Sequence, residues 1–382
     1  MLIQKVLEDI NRSPDFHRSR YGDDDHLHAA ISWIETAWKA AGETGISKGY
    51  DLIRRRWSPA YPETTGYTIP TLLNLAVILK RPDLAEMALR LAEYLLKASD
   101  PNGAVVHWQA GGGAQPVIFD TGQVLFGLLA AFQYSGDARY LDAGVRAGNW
   151  LVSVQSSSGS WVQYQHLGTE KVIDTRVAWA LLLLDRQVGG NPKYRLAARK
   201  NLDWAVSQQD QSGWFDKCAF RLQDDPLTHT LAYTAEGLYE SGLLLGEESY
   251  CIHGRKTADQ ALAHQKPNGS LPGTFGTGWT RPAWWSCLTG NVQFARLWLL
   301  LYRDTGEPHY YSAARQGLSF VMYCQDMETT HPAVRGGIAG SFPIYGAYER
   351  LKYPNWASKF FIDAILAISV ADGRITSIVY QG

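Results

Sequence analysis

The sequence is poor in several features that mark whole classes of protein. It has only four cysteines in 382 residues, at positions 218, 251, 287 and 324, and none has the CxxC spacing of redox or zinc motifs. Free thiols in a reducing compartment are the simplest explanation, so we expect a cytoplasmic protein. An excess of one charge is also missing, because 36 Lys and Arg face 37 Asp and Glu. A net charge of −1 offers no field to hold a phosphate backbone, so we expect no nucleic-acid partner.

Long apolar runs are missing as well. No segment approaches the roughly 20 apolar residues that a membrane-spanning helix needs, and the opening MLIQKVLEDI is amphipathic rather than typical of a signal peptide. We therefore expect no membrane span. Tryptophan, in contrast, is abundant, with 14 copies in a chain that is only 19% charged. Surplus tryptophan either fills a core or lines a cleft that stacks on sugar rings.

An internal repeat of about 55 residues is the most informative pattern. Tyr140, Tyr194, Tyr250 and Tyr310 follow one another at intervals of 54, 56 and 60 residues. Glutamines repeat the same intervals at positions 155, 209, 265 and 325. Each repeat is a pair of helical patterns, an inner one that is apolar nearly all round and an outer one that is amphipathic. Short turns such as SGD, VGGN and TGE join the two, because Gly ends a helix and Asp, Asn or Glu suits the next start.

Five complete pairs leave one helix over at each end of the pattern. Residues 26–42 have the pattern of an outer helix with no inner partner before it, and residues 355–371 that of an inner helix with no outer partner after it. Pairing the two completes six hairpins and removes the open ends of a helical solenoid. The sequence therefore predicts an all-α protein, a single (α/α)6 toroid domain over residues 1–382. An open helical array is the alternative, and it would expose the apolar faces of both terminal helices.

Functional residues are expected in the long connections from each outer helix to the next inner helix. These connections share one rim of the predicted toroid with the N-termini of the inner helices, whose N–H groups favour anionic or hydroxyl-rich ligands. Four polar residues at or just before inner-helix starts are candidate catalytic groups: Glu63, Asp120, Asp174 and His229. Helix capping is the alternative role for Asp120 and Asp174, which both precede threonine.

Aromatic and cationic residues of the same rim are candidate substrate-binding groups. The aromatic set is Trp57, Trp108, Trp214, Trp284, Trp285 and Tyr345, and the cationic set is Arg176, Arg281 and Arg335. A single tryptophan there is better explained as a plug between loops, whereas the set as a whole favours a sugar-binding cleft. Cys and His residues are too scattered for a zinc site, so we expect no metal and no cofactor.

Carboxyl groups across a rim with aromatic platforms suit glycoside hydrolysis, in which one acid protonates the leaving oxygen and a carboxylate activates water. Asp120 and Asp174, or Glu63, come from neighbouring helices about 8–10 Å apart, which suits an inverting pair. His229 and Tyr345 would assist. A uronate lyase or epimerase is the alternative enzyme, with a His or Tyr base and an arginine on the substrate carboxylate. A glycan-binding or assembly protein without catalysis is the alternative outside enzymes.

Several motifs together resemble one bacterial family. AYPETTGY, FDTGQ, DTRVAWALL, THTLAYTAEGL, SCLTGN and YPNWASKFF are similar to segments of the VpsJ-type polysaccharide biosynthesis proteins, and the resemblance runs from about Asp23 to Ile368. It implies a fold similar to that of six-hairpin glycosidases, a role in exopolysaccharide metabolism and an oligosaccharide or polysaccharide partner. It implies no particular reaction, so the candidate residues above rest on the repeat.

Overall fold

The computed structural model describes residues 2–11, 19–109, 113–221 and 223–382, and these ranges contain thirteen α-helices. Two helices come first, α1 (Leu2–Asn11) and α2 (Asp23–Ala40). The inner helices of the repeat are α3 (Pro62–Ile78), α5 (Ile118–Ser135), α7 (Thr175–Gln187), α9 (Thr228–Leu245), α11 (Leu288–Thr305) and α13 (Asn355–Ala371). The outer helices that follow them are α4 (Pro82–Ala98), α6 (Ala138–Ser153), α8 (Pro192–Ser207), α10 (Glu248–Ala263) and α12 (Pro308–Cys324). No helix within the described ranges has the length and apolar character that crossing a bilayer requires.

Short strands, which the repeat did not predict, occur in the connections. β1 (Gly49–Asp51) pairs antiparallel with both β2 (Arg56–Trp57) and β7 (Lys352–Pro354). Two further antiparallel pairs are β3 (Val106–Gln109) with β4 (Gly113–Pro116), and β5 (Ser286–Cys287) with β6 (Ser341–Phe342). Strands of two to four residues are too short to show a recognisable hydrophobic alternation.

The turns from inner to outer helices use the residue types that their backbones require. Gly136 and Gly306 end α5 and α11 in the left-handed region, with φ angles of 73° and 72°. Asp137 and Asn191 begin α6 and α8, and each side chain accepts a hydrogen bond from the backbone N–H two residues on, at 3.0 Å. The predicted helical hairpins are therefore confirmed, with glycine at helix ends and Asp or Asn at helix starts.

The repeated glutamines hold each outer helix against the next one. The Nε2 group of Gln155 donates to the carbonyl oxygens of Gly159 and Ala197, both at 2.9 Å. Gln325 makes the same type of bond to the carbonyl oxygen of His26 in α2, at 3.2 Å. In the last repeat α2 thus takes the place that the following outer helix takes in the others.

The helices left over at the two ends of the pattern pack against each other, as predicted. α2 and α13 are in contact, and the rings of His26 and Phe361 lie 6.4 Å apart. α13 has the predicted bounds, whereas α2 starts at Asp23 rather than at residue 26. Asp23, Asp24 and Asp25 form its first turn, where acidic side chains complement the positive end of the helix dipole.

The chain divides into two compact units. The first unit contains residues 61–224, 233–257 and 379–382, and the second unit contains residues 1–60, 225–232 and 258–378. Glu63, Asp120 and Asp174 belong to the first unit, and His229 belongs to the second. The prediction of a single domain stays a prediction.

Candidate active site

Close packing of neighbouring inner helices brings three helix starts together in the first unit. A Cβ on Gly66 of α3 would lie 2.6 Å from backbone atoms of α5, and a Cβ on Gly122 of α5 would lie 2.8 Å from the side chain of Val177 in α7. Only glycine permits such approaches without a shift of the backbone. The predicted carboxyl groups stand within a turn of these contacts, on Glu63, Asp120 and Asp174.

The hydroxyl group of Tyr61 joins the first two of these carboxyl groups. Tyr61 directly precedes α3, and its hydroxyl oxygen lies 3.5 Å from Oδ1 of Asp120. Burial raises the pKa of Tyr61 well above its ordinary value, and the charges of Asp120 and Glu63 raise it further, together with a hydrogen bond to Glu63. Tyr61 therefore keeps its proton and acts as a donor to the carboxylates. Asp120 is buried and Glu63 is half-buried.

Asp174 is fully enclosed and differs from the other two acids. Its Oδ2 accepts a hydrogen bond from Nε2 of Gln165, and its Oδ1 is buried without a hydrogen-bond partner among the described residues. Burial raises the pKa of Asp174 to about 8, although the ammonium group of Lys171 and the Gln165 bond oppose the shift. At neutral pH Asp174 therefore carries a proton.

A turn at Tyr164 and Gln165 bonds both to the start of α5, which carries Asp120, and to Asp174. The carbonyl oxygen of Tyr164 accepts a hydrogen bond from the N–H of Ile118, at 3.1 Å, two residues before Asp120. The next residue, Gln165, donates to Asp174. Tyr164 has a φ of 65°, in the left-handed region that non-glycine residues rarely adopt. Strained backbone of this kind concentrates at functional sites. Here the same turn holds the start of α5, which carries Asp120, and the side chain of Asp174.

Capping does not explain the two aspartates. The N-cap of α5 is Val117, and Asp120 lies in the first turn beyond it. Asp174 occupies the N-cap position of α7, but its side chain makes no capping hydrogen bond. The catalytic role of the two carboxyl groups stays a prediction.

The side chain of Arg176 makes its contacts inside the protein, whereas the sequence predicted that it binds a substrate carboxylate. Its side chain is fully buried and pairs through Nη1 with Glu236 of α9. Its Nε donates to Oε1 of Gln123 at 3.0 Å. Glu236 thus already pairs with the guanidinium, and the role of Arg176 on a substrate carboxylate stays a prediction.

Tyr233 connects the Arg176 pair with the acids. Burial and the charge of Glu63 raise the pKa of Tyr233, whereas Arg176 and a hydrogen bond with Tyr67 lower it by less. The Arg176 guanidinium lies 4.8 Å from the centre of the Tyr233 ring, and the Phe119 ring lies 5.4 Å from it. Tyr233 is therefore a neutral phenol fixed by rings and charge, and a poor proton acceptor.

His229 lies in the second unit, in a cluster of its own. Its Nδ1 is 2.7 Å from Oε1 of Gln293, and its ring lies 5.5 Å from the ring of Tyr348 and 6.5 Å from that of Phe360. An Nδ1–H donated to Gln293 leaves the imidazole lone pair on Nε2. The assisting role predicted for His229 stays a prediction.

Two predicted sugar-stacking tryptophans are covered by protein. Trp214 and Trp285 are 4% and 7% exposed. A Cβ on Gly273 would lie 2.2 Å from the Trp285 ring, so that ring packs directly on the loop backbone. These two side chains leave little ring face exposed, and their sugar-stacking role stays a prediction.

Other predicted binding residues remain accessible, all of them in the second unit. Trp284 is 65% exposed, and its ring lies 5.8 Å from that of the half-buried Tyr345. Trp57 is half-buried, Arg335 is exposed, and Arg281 is exposed and pairs with Asp225 at 3.0 Å. In the first unit the backbone of Trp108 lies in β3, while its side chain falls outside the described residues.

Five residues around the acids were missed from sequence. For Glu236 there was a signal, because a charged residue within the apolar helix THTLAYTAEGL needs a buried partner. The others had no signal, since their place depends on how loops and helix starts meet. The five are Tyr61, Gln165, Lys171, Tyr233 and Glu236.

The acids of the first unit stand in different hydrogen-bonding environments. Asp174 holds a proton at neutral pH, while Tyr61 donates toward Glu63 and Asp120. Over the part of the chain that the structure describes, no three His, Cys, Asp or Glu side chains are grouped to hold a metal ion.

No protein-family model matches the chain, and neither does any curated protein sequence. Among solved structures it is similar to an unsaturated glucuronyl hydrolase specific for heparin, with a TM-score of 0.71 and 14% identity over 92% of this chain and 99% of that one. A glycosaminoglycan-degrading unsaturated glucuronyl hydrolase from a Bacillus species has a TM-score of 0.73 and 14% identity, over 92% and 97% of the two chains. Cellobiose 2-epimerase from Bacillus thermoamylovorans has a TM-score of 0.67 and 11% identity, over 90% of this chain and 99% of that one. At these identities the similarity shows the fold alone, and that fold is the predicted (α/α)6 toroid.

Proposed function

We propose that the protein is a glycoside hydrolase-like enzyme that acts on an oligosaccharide or polysaccharide. The observation that carries the proposal is the pair of helix starts that the Tyr164 turn connects, one with Asp120 and one with the protonated Asp174. Asp174 protonates the leaving oxygen, and Asp120 activates the attacking water as a general base. Tyr61 and Glu63 orient Asp120.

An inverting course is part of the proposal. Packed neighbouring helices lie about 8–10 Å apart, and an inverting pair needs roughly 6.5–9.5 Å between its carboxyl groups to admit water. Asp120 and Asp174 stand on such neighbours, because α5 and α7 meet at Gly122. A retaining course would need the two carboxyl groups closer together.

The setting proposed for this activity is bacterial exopolysaccharide metabolism in the cytoplasm. The resemblance of the motifs to VpsJ-type polysaccharide biosynthesis proteins supports it. The fold adds support of a general kind, since two similar structures are hydrolases of unsaturated glucuronyl groups.

Reducing-end release from a panel of neutral and uronate-containing oligosaccharides tests the proposal. We expect release by the parent protein and a loss of about a thousandfold or more in both D120N and D174N, with binding retained. Asp216→Asn is the matched control, because Asp216 is an exposed carboxylate of the same unit. Release that survives in both site variants would overturn the proposal.

A uronate epimerase or lyase is the second candidate. The hydrogen bond from His229 to Gln293 favours it, because it places a basic nitrogen at Nε2, and one similar structure is an epimerase. Such an enzyme would incorporate solvent deuterium next to the carboxylate or form an unsaturated product without hydrolysis. His229→Gln would then abolish turnover, whereas D174N would leave it largely intact.

A further inference from the structure

Three consecutive arginines form the tip of a hairpin in the second unit. The connection between α2 and α3 contains β1 and β2, and the turn between them runs from Leu52 to Arg55. Arg54, Arg55 and Arg56 are all exposed. Like the other outer-to-inner connections, this one precedes an inner helix.

The turn is built to hold its shape. Oδ1 of Asp51 accepts hydrogen bonds from the backbone N–H groups of Ile53 and Arg54, both at 2.9 Å. Oδ2 of Asp51 lies 3.7 Å from Arg54. Asp51 is buried and is the one acid from Gly49 to Trp57, so the three arginines leave this hairpin with a net positive charge.

A cleft of about 750 Å³ opens beside the arginines. One wall is Trp57, whose ring is fixed by the rings of Trp33 at 5.3 Å and Tyr50 at 5.4 Å. A half-buried aromatic wall beside guanidinium groups suits a sugar that carries an anionic group. The polar and aromatic lining is Thr44, Asp51, Arg54, Arg56, Trp57 and Ser58.

Arg55 adds an independent observation. Its φ is 50°, in the left-handed region where glycine or asparagine is favoured and arginine is not. An exposed arginine thus stands beside the cleft at a position that its own backbone disfavours. Backbone strain of this type is found at ligand-binding sites.

We propose that the Arg54–Trp57 cleft binds an acidic segment of a polysaccharide, through carboxylate or sulfate groups. The inference rests on the proposed function, which it deepens by naming the substrate as an anionic glycan. Arginine pairs with either group through two parallel hydrogen bonds, and Trp57 packs on the sugar that carries it. The cleft serves binding and contributes no group to bond cleavage.

A nucleic acid is the less favoured polyanion. A duplex or single strand needs a long basic track, whereas this turn offers three arginines in a chain of net charge −1. Aromatic contact at one wall also fits a single sugar better than successive stacked bases.

Binding is tested without turnover, in the D174N background, with three probes. The probes are an oligogalacturonate, a heparin oligosaccharide and a neutral maltooligosaccharide, followed by isothermal calorimetry at low and moderate salt. We expect at least one acidic probe to bind, with weaker binding at higher salt, and the neutral probe to bind at least tenfold more weakly. The acidic probe that binds distinguishes carboxylate from sulfate recognition.

The variant Arg54→Gln/Arg55→Gln/Arg56→Gln should lose at least tenfold in affinity for that acidic probe. Arg55→Gly separates binding from folding, because glycine relieves the strained φ, and it should weaken binding while the melting temperature holds or rises. Arg90→Gln/Arg303→Gln, on exposed arginines of α4 and α11, is the control and should bind like the parent.

Parent-like binding by the triple variant would overturn the proposal. Equal competition by an oligothymidylate would do so as well, because the turn would then be a general polyanion site. Since calorimetry reads binding alone, a protein that binds the acidic probe but hydrolyses nothing would contradict the proposed function and leave this inference standing.

Discussion

The acids of the first unit and the arginine turn of the second unit use charge in opposite ways. Asp174 is fully enclosed, and its burial raises its pKa to about 8. Arg54, Arg55 and Arg56 stand exposed on a turn that Asp51 stabilises. The acids are held by packed helix starts, and the arginines by a single hairpin.

The difference follows from what each kind of site needs. Proton transfer needs a carboxyl group whose pKa has moved toward the working pH, and burial is the cause that moves the pKa of Asp174. Capture of a long anionic chain needs charge that meets solvent, since attraction between exposed charges steers association. The buried acids and the exposed arginines are therefore expected to respond differently to pH and substitution.

The largest expected effect is a pH-dependent stability that Asp174 causes. Its folded-state pKa of about 8 lies above the unfolded value of about 3.9, so the folded state alone holds the proton between these values. The free energy of unfolding should therefore fall by roughly 4–6 kcal/mol as pH rises from 4 to 8. D174N should lose this slope and be more stable than the parent at pH 8.

Urea unfolding of parent, D174N and Asp216→Asn across this range checks that expectation. Asp216 is exposed, so its variant should follow the parent curve. Parallel curves for parent and D174N would show that Asp174 ionises normally, and burial would then not raise its pKa.

The next effect concerns the buried ion pair beside the acids. Glu236→Gln removes the anionic partner of Arg176, whose side chain is fully buried, and should lower the free energy of unfolding by about 3–5 kcal/mol. Glu93→Gln is the matched control, because its partner Arg139 is 60% exposed and the loss there should be about 0–1 kcal/mol. Similar losses of stability in thermal or urea unfolding would mean that the buried pair contributes no more to stability than the exposed pair.

The sequence predicted the fold better than the site for a physical reason. Gln155 and Gln325 recur because each bonds to backbone of the next outer helix, so the repeat reports the packing directly. The position of Asp174 at a helix start could be read in the same way. Its raised pKa could not, because it depends on enclosure by a loop that is placed by the αL turn at Tyr164.

The exposure of the predicted substrate-binding residues could not be predicted from the sequence pattern. Trp284 and Trp285 are neighbours in sequence, yet one is 65% and the other 7% exposed. The two stand in the bent connection just before β5, and only the structure tells which of them faces solvent. The arginine turn has no distinctive sequence signal, because a run of charge is ordinarily a solvated surface.

A smaller effect is expected where α3 and α5 meet. Gly66→Ala would place a Cβ 2.6 Å from backbone atoms of α5, and the helices must separate to admit it. We expect a loss of about 1–3 kcal/mol in stability, together with reduced turnover because the Glu63 and Asp120 helix starts move apart. In Gly144→Ala the nearest atom is a Leu125 methyl carbon at 3.2 Å, so stability should hold or rise slightly. Equal losses of stability in both variants would show that the contact between α3 and α5 at Gly66 is not especially close.

The smallest effect belongs to the exposed aromatic pair. Trp284→Ala removes a ring that is 65% exposed and lies 5.8 Å from Tyr345. If the pair stacks on a sugar, KM for the oligosaccharide hydrolysed in the release assay should rise several-fold, which corresponds to about 1 kcal/mol, with kcat unchanged. The melting temperature should stay that of the parent, as in Ile252→Ala, which truncates a similarly exposed residue of α10. A lower melting temperature with unchanged KM would place Trp284 with the buried Trp285, among the side chains that hold loops together rather than those that bind.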